Sequence, residues 1–231
     1  MSRLRNLSLF LVLAAAWGSA FVAINAGLAY FPPVLFAAFR FDVAGVVMLA
    51  YAAYAVDDPV PRGRDQWLEV VSGAVFIIAA YHAFLFVGES DPAVTSAVAA
   101  VIVSLSPVLT TVFARALLPA ERLTAVGALG LGIGLAGAVV LANPDPANLT
   151  GGGTVAKLLV LLAATSFALG SVLSRASEAD IAIETMEAWS MLLGAGLTHL
   201  LALALGESVA DATWTTESLL ALGYLSVVAS G

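Results

Sequence analysis

The sequence predicts an all-α membrane protein, a polytopic bundle of apolar helices. Of its 231 residues, 61% are hydrophobic and 11% charged, and the mean hydropathy is +1.01. A soluble domain carries charges at about a quarter of its positions. The apolar residues fall in long blocks, each close to the roughly 20 residues that cross a bilayer as a helix. The blocks are continuous, whereas a membrane β-barrel alternates apolar and polar residues over short segments.

Taken in order, the expected spans are 7–29, 33–55, 67–88, 93–117, 123–142, 155–175 and 184–205. An eighth begins near 217. The first resembles a signal peptide in its charged start, but its apolar run continues to Ala29, so it reads as a retained span. Proline, glycine and acidic residues punctuate the rest: Pro32-Pro33, "DDPVPRGRDQ", "GESDP", "LPAER", "NPDPANLTGGG", "ASEADIAIE" and "GESVADATWTTE". The closing "SLLALGYLSVVASG" is too short to cross. The expectation is therefore seven full spans plus part of an eighth, in a chain that lacks further spans.

Charge orients the bundle. Arg3, Arg5, Arg62, Arg64, Arg115, Arg122 and Arg175 all fall on one side if the N-terminus is cytoplasmic, and only Lys157 falls on the other. The opposite loops carry Glu89, Asp91, Asp145, Glu207 and Asp211. The plasma membrane of a prokaryote is the expected location. Net charge −7, with a single lysine and Ala/Val/Gly-rich spans, suggests a halophilic source. The absence of a basic patch argues against nucleic-acid partners. There is no cysteine, and His82 and His199 lie far apart, so neither a metal site nor a cofactor is expected.

An internal repeat organises the chain. "LVLAAAWGSAFVAI" from Leu11 and "LLAATSFALGSVLS" from Leu161 align with a shift of 150, matching Trp17 to Phe167 and Val22 to Val172. Five spans separate the two starts. Five is odd, so the second unit enters the membrane upside down, giving an inverted repeat of five-span units as in secondary transporters. The expected domains are a first unit at 1–142, an extracytoplasmic linker at 143–154 and an incomplete second unit at 155–231.

Residues 89–142 resemble the fourth and fifth spans of the EamA-type family of the drug/metabolite transporter superfamily. They share a small-residue helix, a mid-helix proline at Pro107, an Ala-Glu-Arg-Leu turn at Glu121 and Arg122, and a glycine-rich helix. "AAAWGSAFVAINAGL" and "PPVLFAAFRFDVAG" resemble the family's opening pair. Ala120 stands where the family usually has glycine. The resemblance implies ten spans in two five-span units and ATP-independent movement of small metabolites, often outward.

Candidate residues for the substrate path follow from polarity inside the spans. Arg40 lies roughly 10 Å below the surface at about 1.5 Å per residue, and His82 at a similar depth. A charge at mid-membrane costs at least about 2.5–3.5 kcal/mol, so it faces a partner or a wet cavity. The resemblance also implies an arginine at this position. Asp42, two residues on, points about 200° around the helix, so the two charges do not pair within it. The family usually has an apolar residue there. Asp42 reads either as a proton-carrying carboxylate or as one half of a salt bridge to another helix. His82 reads as a proton-coupling group or as a satisfied hydrogen-bonding residue; His199 shows no partner at any clear spacing.

Trp17, Asn25, Ser166 and Phe167 line a cavity if the opening helix of each unit borders the path; packing explains them equally. Pro107, flanked by hydroxyls, marks a hinge or kink. Glu121 and Arg122 are expected to anchor a turn. Gly130 and Gly134, at GxxxG spacing, suit helix packing within the bundle or in a homodimer. "NLT" at Asn148 forms a sequon.

The expected function is that of a secondary-active exporter of small metabolites, amino-acid-like or other polar solutes, working by alternating access in the lipid bilayer with protons as a coupling ion. It is not expected to be an enzyme. The alternatives are a non-transporting scaffold or an incomplete fragment, and an intramembrane hydrolase. The last lacks a G-x-S-x-G elbow.

Overall fold

The computed structural model describes residues 3–118, 124–142 and 152–230. Among these, all regular structure is helical. Eight helices follow in order: α1 (Arg3–Gly27), α2 (Pro33–Ala55), α3 (Arg64–Glu89), α4 (Ser96–Leu117), α5 (Ala125–Ala142), α6 (Gly152–Ala176), α7 (Ile183–Ala204) and α8 (Thr216–Val227). Six of them, α1 to α4, α6 and α7, are long and apolar enough to cross a bilayer. α5 is an apolar helix of 18 residues. α8 has 12 residues, about 18 Å at the helical rise, short of the roughly 30 Å hydrocarbon core. Large apolar side chains cover the outside, among them Phe10, Val12, Val126 and Leu203, as a lipid-facing surface requires.

Local chemistry sets the helix ends. A β-carbon at Gly27 would sit 2.2 Å from the Phe36 ring, so the tight α1–α2 turn depends on glycine there. Pro33 then opens α2, where its missing N–H costs nothing. The next free donors of α2 are met from far along the chain. Glu207, after α7, accepts from Val34 N at 3.1 Å and from Leu35 N at 2.7 Å. A carboxylate at a helix N-terminus satisfies orphan donors and opposes the helix dipole. Glu207→Ala is expected to destabilise the bundle by about 1–2 kcal/mol, read as a lower unfolding midpoint in detergent. An unchanged midpoint would show that this clamp is incidental.

Two helices are irregular. α3 is α-helical over Arg64–Ser72 and Tyr81–Glu89 but π-helical over Gly73–Ala80. α4 breaks between Val103 and Ser106, just before Pro107. Around that break, Ser104 Oγ donates to Val101 O at 2.6 Å, Ser106 Oγ to Val103 O at 2.7 Å and Thr111 Oγ1 to Pro107 O at 2.8 Å. The hydroxyls thus supply donors where the backbone ladder is interrupted.

The most extensive contact in the bundle is between α2 and α7. α3 packs on α6, α7 and α2; α8 packs on α1 and α2; α4 packs on α6 and α1, and α5 on α4. The main apolar core gathers Ile24, Phe31, Phe36, Leu85, Phe86, Val160 and Leu225 from α1, the α1–α2 turn, α2, α3, α6 and α8. α2 and α7 approach closely at Gly45, where a β-carbon would lie 2.8 Å from Leu192 Cδ2. In α5, Gly134 meets Val108 of α4, whereas Gly130 faces open space, so the GxxxG spacing joins no second helix at Gly130 among the described residues. Glu121, Arg122 and Asn148 lie outside the described residues.

Candidate functional site

α2 sends its two charges to different neighbours. Arg40 is 5% exposed; its Nε donates to Ser230 Oγ at 2.9 Å and a terminal nitrogen to Ala229 O at 3.1 Å. Ser230 is itself oriented by donating to Leu225 O at 2.8 Å. Arg40 therefore ties α2 to the segment that follows α8. Asp42 turns away toward α7, where its Oδ2 lies 2.8 Å from His199 Nε2, with both side chains part-exposed. No spacing along the chain points to a partner for His199; α2 and α7 supply one by packing side by side.

His82 is buried on α3 and donates from Nδ1 to Ile78 O at 2.9 Å. Its ring lies 4.4 Å from Phe41, 4.5 Å from Tyr81 and 6.1 Å from Phe86, centroid to centroid. Tyr81 in turn meets Phe167 of α6 at 5.4 Å. Arg40 Cζ lies 5.1 Å from the centroid of the same Phe41 ring. One cluster, buried at Arg40, Phe41 and His82 and half-buried at Tyr81 and Phe167, thus draws on α2, α3 and α6.

The other expected path residues are placed elsewhere. Trp17 is 54% exposed and Asn25 is exposed on α1, both facing away from this cluster. Ser166 is buried, but it donates to Phe76 O at 2.8 Å inside the π-helical stretch rather than facing an open space. Ser190 of α7 does the same for Val70 O at 3.1 Å. With His82 on Ile78 O, three side chains from three helices hold carbonyls in and beside the irregular stretch of α3.

Glu89 departs most from the sequence reading. It was expected in a loop, but α3 runs on to include it, and it is 2% exposed. Neither carboxylate oxygen has a hydrogen-bond partner among the described residues. At the other end of α3, Glu69 is well served: it accepts from Ser174 Oγ at 3.0 Å and from Ser177 Oγ at 2.9 Å. A groove between α3 and α6 opens there, lined by Asp65, Glu69, Phe76, Leu173 and Ser177. Among the described residues no group of three or more His, Asp or Glu side chains is placed to hold a metal ion.

Comparison with known proteins places this arrangement. The model of the EamA-like transporter family matches residues 4–143. The inner membrane transporter YedA of Escherichia coli (strain K12) is 29% identical over 214 residues, covering 93% of this chain and 67% of YedA. A chloroplastic WAT1-related protein of Arabidopsis thaliana is 31% identical over 186 residues, covering 77% of this chain and 42% of that protein. A solved structure described only as that of a protein superposes with a TM-score of 0.67 at 27% identity, covering 95% of this chain and 73% of the other.

Proposed function

The chain belongs to the EamA-like transporter family, and from that premise we propose that it is a secondary-active carrier that exports small polar metabolites by alternating access. Its apolar helices make it a multi-pass membrane protein, so lipid is its solvent and a small solute its cargo. The proposed orientation puts the N-terminus in the cytoplasm, as the arginine distribution indicates. The proposed division is a first unit at 1–142, a linker at 143–154 and a second, inverted unit at 155–231.

The observation that carries this reading is the pattern of contacts. If α1, α2 and α3 correspond to α6, α7 and α8, an exchange of units turns each extensive contact between these two sets of helices into another that exists. The α2–α7 pair maps onto itself, α3 on α6 maps to α8 on α1, and α3 on α7 maps to α8 on α2. The loop clamps follow the same exchange. Glu207, between α7 and α8, holds the first turn of α2. The loop between α2 and α3 holds the start of α7, because Asp58 O accepts from Thr185 Oγ1 at 3.0 Å and Pro59 O accepts from Trp189 Nε1 at 2.8 Å. Two matched units around a shared seam are the machinery for rocking.

The buried cluster around Arg40 supplies a cation to meet an anionic group of the solute, with aromatic walls beside it. A Ser/His hydrolase finds no support here, since the imidazoles bond Ile78 O and Asp42 rather than a serine. The test is solute flux in membrane vesicles from cells with and without the gene, across a broad panel of amino acids and other small polar metabolites. Flux of at least one solute that depends on the gene is expected. No gene-dependent flux across the panel would sink the carrier reading.

A further inference from the structure

Glu89 is the one buried carboxylate whose oxygens accept no hydrogen bond among the described residues. Moving a bare carboxylate out of water costs several kcal/mol unless it is paired. A proton reduces that penalty to the smaller one for a neutral polar group. Among the described residues no cation forms an ion pair with it. At this end of the bundle the titratable groups on neighbouring elements are Tyr30 in the α1–α2 turn, Arg40 and Asp42 of α2, Lys157 of α6, His199 of α7, Glu207 and Asp211 between α7 and α8, Glu217 and Tyr224 of α8, Asp91 in the turn after α3, and Tyr81 and His82 on α3 itself. α1 and α4 present none there. Arg40 is engaged by Ala229 and Ser230, and His199 by Asp42.

The position of Glu89 adds the second half of the inference. Its neighbour Gly88 sits at the crossing of α3 and α6, where a β-carbon would lie 2.6 Å from Val160 Cγ2 and 2.9 Å from Ala156 O. α3 belongs to the first proposed unit and α6 to the second. Glu89 is thus the next residue after a contact between the two bodies that alternating access moves apart.

We propose that Glu89 is a proton-binding site of the carrier, holding a proton while the α3–α6 seam is closed and releasing it to water when the units rock open. The proton comes from water on one side of the membrane and returns to water on the other, so each turnover couples solute movement to a proton gradient. The proposal rests on the carrier reading for its second part only, and the experiment separates the two.

The full chain is reconstituted in phosphatidylethanolamine–phosphatidylglycerol vesicles and read in two ways. Infrared spectra at neutral pH are expected to show the carbonyl stretch of a protonated carboxyl, lost in Glu89→Gln and kept in Asp42→Asn. An imposed pH gradient is expected to drive accumulation of the solutes that the vesicle panel identifies. Glu89→Gln then loses gradient-driven accumulation but keeps solute–solute exchange, and Glu89→Asp keeps both. A protonated-carboxyl band unchanged in Glu89→Gln, or gradient-driven accumulation that survives in it, overturns the proposal. So does a parent protein with no such band, even if the glutamine variant fails to fold. A parent that moves no solute but shows a Glu89-dependent band defeats the carrier reading and leaves Glu89 as the proton site.

Discussion

Arg40→Ala is expected to abolish solute flux in vesicles while the chain still inserts and folds. The guanidinium is buried, yet both of its hydrogen bonds go to the short segment after α8 rather than to a carboxylate. Its charge is therefore not neutralised by the groups that bind it, and it remains available to an anionic group. Alanine removes two charge-assisted bonds, each worth about 1.5–3 kcal/mol. It also removes a charge that costs at least about 2.5–3.5 kcal/mol to hold within the membrane. These terms oppose each other, so stability changes less than function. Arg40→Lys keeps the charge but replaces a planar fork with a point donor, which serves one acceptor well and the other poorly. Losing one such bond in the transport cycle lowers flux on the order of tenfold. Flux is measured alongside the membrane-inserted amount and the unfolding midpoint. An alanine variant that fails to insert shows that Arg40 holds the bundle together; one that transports normally shows that the solute passes elsewhere.

Much of the bundle was legible because hydropathy and helix length are properties of one segment at a time. The boundaries of α2, 33–55, were read from Pro32-Pro33 and the end of the apolar run, and α2 occupies those residues. Helical phase separated Arg40 from Asp42, and the two do part, one inward and one to α7. What the sequence hid was whatever depends on a second helix. Asp42 and His199 are far apart in the chain, and only the α2–α7 contact joins them. Glu89 looked like loop because it begins a polar run, "ESDP", but α3 extends through Gly88 to take it in. Glu207 looked like any loop acid, because its value lies in the free N–H groups of a helix start far back in the chain. Nor does "GAVFIIAA" announce a π-helix, since an apolar run is equally compatible with either helix type. For the same reason the sequence leaves Ser166 open between path lining and packing and draws no notice to Ser190, although both donate to α3 carbonyls.

The second large effect concerns that π-helical stretch and its fit against α7. Gly194→Leu is expected to prevent a stable fold, and Gly194→Ala to cost about 1–3 kcal/mol, read as a lower unfolding midpoint. A β-carbon at Gly194 would lie 2.5 Å from both Cβ and Cγ2 of Ile78 and 3.2 Å from Ala74 O. The β-branched Ile78 has little freedom to turn aside, and the carbonyl belongs to the π-helical backbone. The wider π-helical turn places Ile78 against α7, and only glycine leaves room for it. Ser166→Ala removes a hydrogen bond inside this stretch and Ser190→Ala one in the turn just before it. Each leaves a buried carbonyl without its side-chain donor, at roughly 1–3 kcal/mol. Rewinding α3 as a regular α-helix would shift the register of everything after Ala80 and rotate Tyr81 and His82 away from Arg40. The serine variants should therefore lower flux by more than their stability loss accounts for, whereas Gly194→Ala should lower both together. Gly194→Leu as stable as the parent would mean that α3 and α7 do not meet here. Serine variants with full flux would separate the π-helical stretch from transport.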